Sequence, residues 1–481
     1  MPSKKTILSS LFWKFLERGG TQGTQFVVSI VLARLLSPAD FGLIALITVF
    51  ITLANVFVQS GFNTALIQKK NADSLDFSSV FFASLGVAIV LYVVMFFAAP
   101  FIADFYERSE LIPVIRVLSI TLIIGALNSI QEAFVARNML FKKLFVRSIG
   151  AVIPAGCLGI VLAYMGFGVW ALVAQQLFNA FLMCVLMWLT VKWRPRLEFS
   201  LERVKSLFSY GWKLLVSALL DVGYNNLQSL VIGKLFAPAT LGFYSRGNHF
   251  PNIVITNINS SIQSVMLPSF SAEQDNRVRL KQMVRRSIVV SSFVIVPMMA
   301  GLAALAKPLV LVLLGEKWLP CVPFIQIYCF IYSFWPIHTS NLSAINAVGR
   351  SDIFLKLEII KKTLGISVLI LFVYFFRTPI GIACTGAATC IISCFINANP
   401  NKKLLDYGYF EQMRDVIPSY LLSGGMCAGL LYLTTLAFNP FLQLVLYTVV
   451  GILFYVGVAK LLHFECLDYL VKTIRGLKNG K

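Results

Sequence analysis

Charged side chains occur inside the long apolar stretches of this sequence, where each costs free energy unless it faces water or a partner. Arg18 lies in the first stretch, and Arg246 lies in another near the middle of the chain. An arginine fork can bond two phosphate oxygens at once, so both residues are candidates for binding an anionic group. Glu17 and Asp221 lie in stretches of the same kind and could couple to H⁺ or Na⁺.

Amide side chains form stripes along the same stretches. They recur every three or four residues, so each set falls on one face of a helix. The candidates for binding a large hydrophilic substrate are Gln22, Gln25, Asn55, Gln59, Asn225, Gln228, His249, Asn252, Asn259 and Gln263. Single amides also occur as hydrogen-bonding residues between packed membrane helices. Polar stripes on four helices instead favour a hydrated, net-cationic cavity.

Other polar residues of the apolar stretches have simpler interpretations. Lys14 and Lys213 lie close enough to the ends of their stretches to reach the lipid headgroups. For Arg116 and Glu132, a functional and a structural role both stay open. His338 is interpreted as a packed histidine. The nine cysteines include no Cys-x-x-Cys pair and are interpreted as small packing residues.

The composition is that of an integral membrane protein. Hydrophobic residues make up 58% of the 481 residues and charged residues 13%, against about 25% charged in a soluble domain. The first apolar run follows Lys4 and Lys5 without a cleavage site, so it predicts a membrane helix and not a signal peptide. The predicted spans are 10–33, 41–66, 77–99, 112–136, 145–164, 168–190, 207–233, 241–267, 287–305, 321–348, 354–376, 380–397, 416–436 and 441–461.

The basic residues predict the orientation. Most of the 41 lysines and arginines lie in alternate loops, which the positive-inside rule assigns to the cytoplasm together with both termini. This distribution also accounts for the net charge of +20, because basic loops lie at the anionic lipid surface. No nucleic-acid-binding pattern accompanies the charge, so a nucleic-acid partner is not expected.

One short stretch occurs twice. Residues 29–43 and 229–243 align without a gap, and both contain a Pro-Ala-x-x-Gly corner between two apolar runs. A second pattern, Arg-x-x-x-Phe-x-Lys-Leu, begins at Arg137 and again at Arg350. The repeats predict two six-helix lobes of parallel topology, 1–200 and 201–405, followed by two extra helices and a basic tail in 406–481.

Several catalytic patterns are absent from the sequence. It contains no phosphate-binding loop of the Gly-x-x-x-x-Gly-Lys-Ser/Thr type, no His-Glu-x-x-His and no Gly-x-Ser-x-Gly. The predicted outer loops are short, and Asp275 and Asp352 lack the paired carboxylate of a metal-dependent glycosyltransferase. No enzymatic activity, cofactor or metal site is therefore expected.

Four motifs resemble those of a known family. They are LSPADFG (36–42), GFNTALIQ (61–68), FVARNMLFKK (134–143) and IGKLFAPATLGFYSR (232–246). They are similar to the polysaccharide-transporter branch of the multidrug/oligosaccharidyl-lipid/polysaccharide flippase superfamily, in particular to Wzx-type, colanic acid and teichuronic acid exporters. The resemblance implies an all-α fold of about fourteen transmembrane helices, with the lobes in a V shape.

The same resemblance implies a function. The chain is expected to translocate undecaprenyl-pyrophosphate-linked oligosaccharides across the bacterial cytoplasmic membrane by alternating access. Expected partners are this lipid-linked substrate, the membrane lipids, a polysaccharide polymerase and chain-length regulators. A multidrug antiporter of the same fold, a non-transporting scaffold of an assembly complex and a membrane glycosyltransferase are the alternatives. Basic residues outnumber acidic ones within the predicted spans, which disfavours cationic drugs as the substrate.

Overall fold

The computed structural model describes residues 4–59, 66, 69, 72–138, 140–436, 438–469 and 472, and these residues form helices joined by short turns, with no β-strand among them. The GFNTALIQ motif lies outside the described residues except for Leu66. The first nine helices are α1 (Lys4–Leu35), α2 (Pro38–Gln59), α3 (Ser74–Phe105), α4 (Leu111–Leu118), α5 (Ile120–Arg137), α6 (Phe141–Tyr164), α7 (Val169–Thr190), α8 (Leu201–Leu235) and α9 (Pro238–Ala272).

The remaining helices follow in the same pattern. They are α10 (Arg277–Ala304), α11 (Ala306–Leu313), α12 (Val322–Ser333), α13 (Trp335–Ala347), α14 (Ser351–Phe376), α15 (Pro379–Leu405), α16 (Tyr409–Leu433) and α17 (Pro440–Leu461), with a 3₁₀ turn at Glu316–Cys321 before α12. This architecture confirms the predicted all-α class.

Eleven helical segments among the described residues are long and apolar enough to cross a membrane. The other three predicted spans correspond to α1, α8 and α9, which are 32, 35 and 35 residues long. None of these three contains an 18-residue stretch that meets the same standard of apolarity and charge. The count of fourteen and the cytoplasmic position of the termini stay predictions.

Proline begins the second helix at each duplicated corner. Helix α2 starts at Pro38 and α9 at Pro238, where the missing N–H costs nothing and the fixed φ suits a first helical turn. In the first corner, the backbone N–H of Ser37 donates to Asp40 Oδ2 at 3.0 Å and the N–H of Asp40 donates to Ser37 Oγ at 3.2 Å. This reciprocal pairing satisfies donors that the start of a helix would otherwise leave free.

Contacts divide the chain into two compact units, Met1–Gly242 and Phe243–Lys481. In the first unit α1 lies along α6, α6 along α7, α3 against α5, and α2 against α8. In the second unit α10 contacts α12, α13 and α16, and α14 lies along α15. The first unit extends past residue 200 because α8 packs against α2 and α3. The boundaries 1–200, 201–405 and 406–481 stay predictions.

The repeat is visible in the order of the elements. In each half a long helix, α3 or α10, packs against a helix that is interrupted once, between α4 and α5 or between α12 and α13. A tightly packed hairpin follows, α6 with α7 or α14 with α15. Apart from α11 and the 3₁₀ turn of the second half, the order of these elements is similar in the two halves.

Candidate functional site

Helix α1 has one face against α6 and a polar face turned away from it. A Cβ added to Gly20 would lie 3.1 Å from the Ile149 side chain. A Cβ added to Gly156 of α6 would lie 2.5 Å from the Val28 side chain of α1, so these two helices are closely packed. Arg18 is two residues before Gly20, which places it on almost the opposite side of the helix, and its side chain is exposed. Gln22 and Gln25 share that side, with Gln22 half-buried and Gln25 exposed.

Glu17 does not belong to this exposed face. It is half-buried, and the Ser148 hydroxyl of α6 donates to Glu17 Oε1 at 3.0 Å. The adjacent Arg18 and Glu17 thus have different surroundings, because one residue step rotates a side chain by about 100° around the helix. Thr21, one turn after Glu17, has a buried hydroxyl without a hydrogen-bond partner among the described residues.

The polar residues of α2 face α5. A Cβ added to Gly125 would lie 3.5 Å from Asn55 Oδ1 and 3.9 Å from Gln59 Nε2, so the two amides flank this glycine. Asn55 Oδ1 is buried and has no hydrogen-bond partner among the described residues, whereas Gln59 is exposed. Gly125 leaves room beside both amides that a larger residue would occupy.

Helix α8 carries the third predicted stripe. Asp221 and Asn225 are exposed and Gln228 is half-buried. Exposed polar side chains in the middle of a membrane helix face either water or other protein, since hydrocarbon would make them costly. The structure therefore places the stripe of α8 on an open surface of the first unit.

The polar residues of α9 that belong to the second unit lie in different environments. Arg246 is buried with 9% exposure, while His249 and Asn252 are half-buried. The His249 Nε2 atom is buried without a hydrogen-bond partner among the described residues. Asn259 accepts a hydrogen bond from Thr339 at 2.7 Å, so its oxygen already serves packing against α13, whereas Gln263 is exposed.

The sequence reasoning missed one ion pair between a buried arginine and an exposed glutamate. Arg147 of α6 is 7% exposed, and its Nη1 lies 2.5 Å from Glu132 Oε1 of α5. This pairing assigns Glu132 a structural role, which the sequence left open. Arg116 likewise stays within its own unit, where its guanidinium donates to the Phe96 carbonyl at 3.3 Å and lies 4.1 Å from that ring. Residues that pair across helices carry no signature in their spacing along the chain.

Helix α8 is tied to α3 near both ends. At its start, Arg203 Nη1 lies 3.2 Å from Asp76 Oδ1, and the Asp76 side chain is fully buried. At its end, the Lys234 ammonium donates to Glu107 Oε1 at 2.8 Å and to the Phe105 carbonyl at 2.6 Å. The hydrogen bond from Lys234 holds the pKa of the Glu107 carboxyl below its ordinary value. Any movement of α8 away from α3 must break at least one of these ties.

The two duplicated corners meet each other through their glycines. A Cβ on Gly42 would lie 1.8 Å from the Pro238 carbonyl oxygen, and a Cβ on Gly242 would lie 2.0 Å from the Pro38 carbonyl oxygen. Real Cβ atoms essentially never approach another atom within 3.0 Å. Only glycine fits at either position, so the starts of α2 and α9 approach more closely than side chains allow.

His338 and Asn341 of α13 serve packing in the second unit. His338 Nδ1 lies 3.0 Å from Asn397 Nδ2, and its Nε2 lies 3.4 Å from the Cys390 sulfur. Asn341 exchanges hydrogen bonds of 2.7 and 2.9 Å with Gln412, and the fully buried Asn401 donates to its oxygen at 2.6 Å. The interpretation of His338 as a packed residue agrees with these contacts. Among the described residues, no group of three or more metal-ligating side chains is gathered.

These helices define a multi-pass α-helical membrane protein, and its fold is known. A solved structure titled "Lipid II flippase MurJ, inward closed conformation" is similar over 96% of this chain and 99% of that one, with a TM-score of 0.76 at 15% sequence identity. At this identity the likeness shows the fold alone. It shows that the chain has the fold of that structure, which agrees with the fold expected from the motifs.

The chain belongs to the family described as "Polysaccharide biosynthesis protein", whose model matches residues 31–323. The succinoglycan biosynthesis transport protein ExoT of Rhizobium meliloti is 29% identical over 65% of this chain, a segment that spans 64% of ExoT and so less than two thirds of it. The teichuronic acid biosynthesis protein TuaB of Bacillus subtilis is 26% identical over 73% of this chain and 74% of its own length. The family predicted from the motifs is confirmed.

Proposed function

We propose that this protein is a flippase that moves polyprenyl-pyrophosphate-linked oligosaccharide units, of the exopolysaccharide, capsule or O-antigen type, across the bacterial cytoplasmic membrane by alternating access. Three facts support the proposal: the family, a relative named as a transport protein of succinoglycan biosynthesis, and a fold similar to that of a lipid II flippase. The identity of the lipid-linked substrate and the direction in which it moves are parts of this proposal.

The observation that carries the proposal is the polarity of α1, α8 and α9. These three helices are as long as the other membrane helices, yet none contains a comparably apolar stretch. In α1, the polar face with Arg18 and Gln22 is the one turned away from α6. Lipid is a poor environment for such a face, so it is suited to a water-filled pathway that admits sugar hydroxyls.

The roles follow from the chemistry of each side chain. The exposed Arg18 can present its planar fork to the pyrophosphate, and Arg246, close in sequence to the partly buried His249, supplies a second positive charge. The amides of α1, α2, α8 and α9 exchange hydrogen bonds with sugar hydroxyls. The buried atoms Asn55 Oδ1 and His249 Nε2 have no hydrogen-bond partner among the described residues, which supports this role because buried polar atoms normally find a partner.

Ion coupling is assigned to the two carboxylates. Asp221 is exposed on the polar face of α8, where a change of protonation or Na⁺ binding alters the charge of the pathway. Glu17 accepts a hydrogen bond from Ser148, so protonation of Glu17 would weaken this contact between α1 and α6. The polyprenyl tail needs no polar partner and stays in the lipid. No catalytic step is required of any residue, and the protein is proposed to act without enzymatic activity.

Reconstitution into vesicles tests the proposal. A fluorescent polyprenyl-pyrophosphate oligosaccharide is placed in one leaflet, and its appearance in the other is followed with an external quencher under imposed H⁺ or Na⁺ gradients. We expect translocation by the wild type and a loss of about tenfold or more in R18Q, since a charge-assisted hydrogen bond is worth about 1.5–3 kcal/mol. R279Q is the matched control, because Arg279 is an exposed arginine in the first turn of α10 that pairs with Glu273.

The outcomes separate the candidate functions. Translocation of a cationic dye in place of the oligosaccharide would identify a drug antiporter. Absence of translocation under every gradient, together with intact polymer export in cells carrying R18Q and D221N, would leave a scaffold role and contradict the flippase.

A further inference from the structure

A cavity in the second unit lies outside the polar stripes. Its volume is about 540 Å³, within the range of about 300–1,000 Å³ typical of small-molecule sites. The walls come from the start of α10, the start of α16 and the segment that follows α17, and they include Arg286, Val289, Pro418, Leu462 and Glu465. None of these residues belongs to the proposed transport pathway.

The cavity lies where its helices change from polar to apolar. The first three turns of α10 contain five basic residues up to Arg286 and then become apolar, and α16 becomes apolar after Asp415. Leu462 in the cavity wall is an exposed apolar residue. A cavity that combines charged and apolar lining residues at such a transition is suited to the level of the lipid headgroups.

The segment after α17 is held in place and forms one wall. His463 has a positive φ of 51°, so the chain reverses there, and the Phe464 ring packs 5.9 Å from that of Phe293. The following residues, 465–469, are helical. Glu465 and Tyr469 are four residues apart and therefore share a face of this helix.

One acidic and one basic group of the cavity lack an ionic partner in the described part of the chain. Arg285 forms two hydrogen bonds with Asp415, at 2.8 and 2.6 Å, so these two charges neutralise each other. Arg286 contacts the Tyr469 ring at 4.9 Å but no carboxylate, and Glu465 contacts no basic side chain. Arg286 and Glu465 therefore contribute one charge of each sign to the lining of the cavity.

We propose that this cavity binds the zwitterionic headgroup of a phosphatidylethanolamine-type membrane lipid. The phosphate accepts from the Arg286 guanidinium, and the ammonium donates to the Glu465 carboxylate. The acyl chains extend along Val289 and Leu462. One unneutralised charge of each sign complements a zwitterion better than an anion, which would meet Glu465 with like charge. The proposal does not rest on the transport function.

Lipid binding to the purified full-length chain tests the proposal. Native mass spectrometry measures affinities for phosphatidylethanolamine, phosphatidylcholine and phosphatidylglycerol with matched acyl chains. We expect phosphatidylethanolamine to bind about tenfold more tightly than phosphatidylcholine, equivalent to about 1.4 kcal/mol, because only the primary ammonium donates hydrogen bonds to Glu465. E465Q should abolish this preference, R286Q should weaken binding of all three lipids, and R279Q, on the same helix, should change neither.

Three affinity results, and one displacement result, would overturn the proposal. One is equal affinity of the wild type for the three lipids, and another is a preference for phosphatidylglycerol, which would indicate an anion site. The third is a preference that survives E465Q in monodisperse protein. Glu465 is exposed, so E465Q is expected to fold. A lost lipid preference in this variant can therefore be attributed to the missing charge. Inorganic phosphate should not displace phosphatidylethanolamine, whereas displacement would indicate a free-phosphate site and contradict the lipid assignment.

Discussion

Replacing Gly42 with alanine should force the two duplicated corners apart. The new Cβ would lie 1.8 Å from the Pro238 carbonyl oxygen, and the closest tolerated approach is about 3.0 Å, so the backbones must separate by about 1.2 Å (3.0 minus 1.8). Both partners are rigid backbone at the start of a helix, which leaves no flexible side chain to absorb the shift. The cost belongs at the upper end of overpacking penalties, about 3 kcal/mol, or roughly a hundredfold in the population of the closed contact.

The reciprocal geometry makes a sharper prediction. Gly242→Ala creates the same conflict with Pro38 at 2.0 Å, and separating the corners for one substitution also relieves the other. The double variant should therefore cost much less than the sum of the two single variants. Gly86→Ala in α3 is the matched control, because nothing lies within 4 Å of its Cβ position. It should be neutral or stabilising by up to about 1 kcal/mol.

Cysteine labelling measures the separation directly. Leu241 is 1% exposed beside the contact, so L241C, placed in a chain without the nine native cysteines, should react slowly with a membrane-impermeant maleimide. Labelling should rise strongly with Gly42→Ala and stay low with Gly86→Ala. Unchanged labelling and unchanged thermal stability in Gly42→Ala, or fully additive effects in the double variant, would refute the close approach of the corners.

Three further predictions follow from buried polar groups and ion pairs. Asp76→Asn removes the carboxylate that Lys69, 2.6 Å away, shares with Arg203. The free energy of unfolding, measured by thermal unfolding, should fall by about 2 kcal/mol. This is less than the ~3–5 kcal/mol for breaking a fully buried ion pair, because 40% of the Arg203 side chain is exposed. The exposed Glu202→Gln should cost almost nothing. Gln412→Leu removes the amide that pairs with Asn341 and should cost about 2–4 kcal/mol, since a buried unpaired group costs ~1–3 kcal/mol; a melting temperature equal to that of the wild type would contradict this network. Because Lys234 lowers the pKa of Glu107 from its ordinary 4.5, the stabilisation by this pair is present above pH 4.5 and is lost as pH falls through the lower, folded-state pKa. The stability difference between the wild type and Glu107→Gln should therefore be constant at neutral pH and should vanish in acid; a difference that grew with acidification would have the wrong sign.

The sequence predicted the elements and their polar faces, because these depend on local spacing. The stripe of Arg18, Gln22 and Gln25 lies on a shared side of α1, as the helical period requires. Duplication and the positions of both corners were equally readable, since Pro38 and Pro238 begin helices in the structure. Such features need no knowledge of which helices are neighbours.

Contacts between helices were not predictable from spacing. The pairing of Arg147 with Glu132 and the contact of Glu17 with Ser148 join residues on different helices, and the chain contains many equally plausible pairs. The mutual contact of Gly42 and Gly242 was missed for the same reason, although both glycines were identified as parts of turns. A sequence shows that a glycine is needed and does not show what approaches it.

The amide network of Asn341, Asn401 and Gln412 also bears on how this chain can be cut or rearranged. Helix α16 appears in the sequence as an addition after the second repeat. In the structure, however, its fully buried Gln412 forms hydrogen bonds with the fully buried Asn341 of α13. Tyr455 of α17 similarly donates to the Phe293 carbonyl of α10 at 2.9 Å. A fragment that ends after α15 would leave the hydrogen-bond partners of these residues unpaired in an apolar interior. The smallest autonomous piece of the second unit therefore includes both terminal helices, and chimaeras between relatives should exchange Phe243–Lys481 as one block.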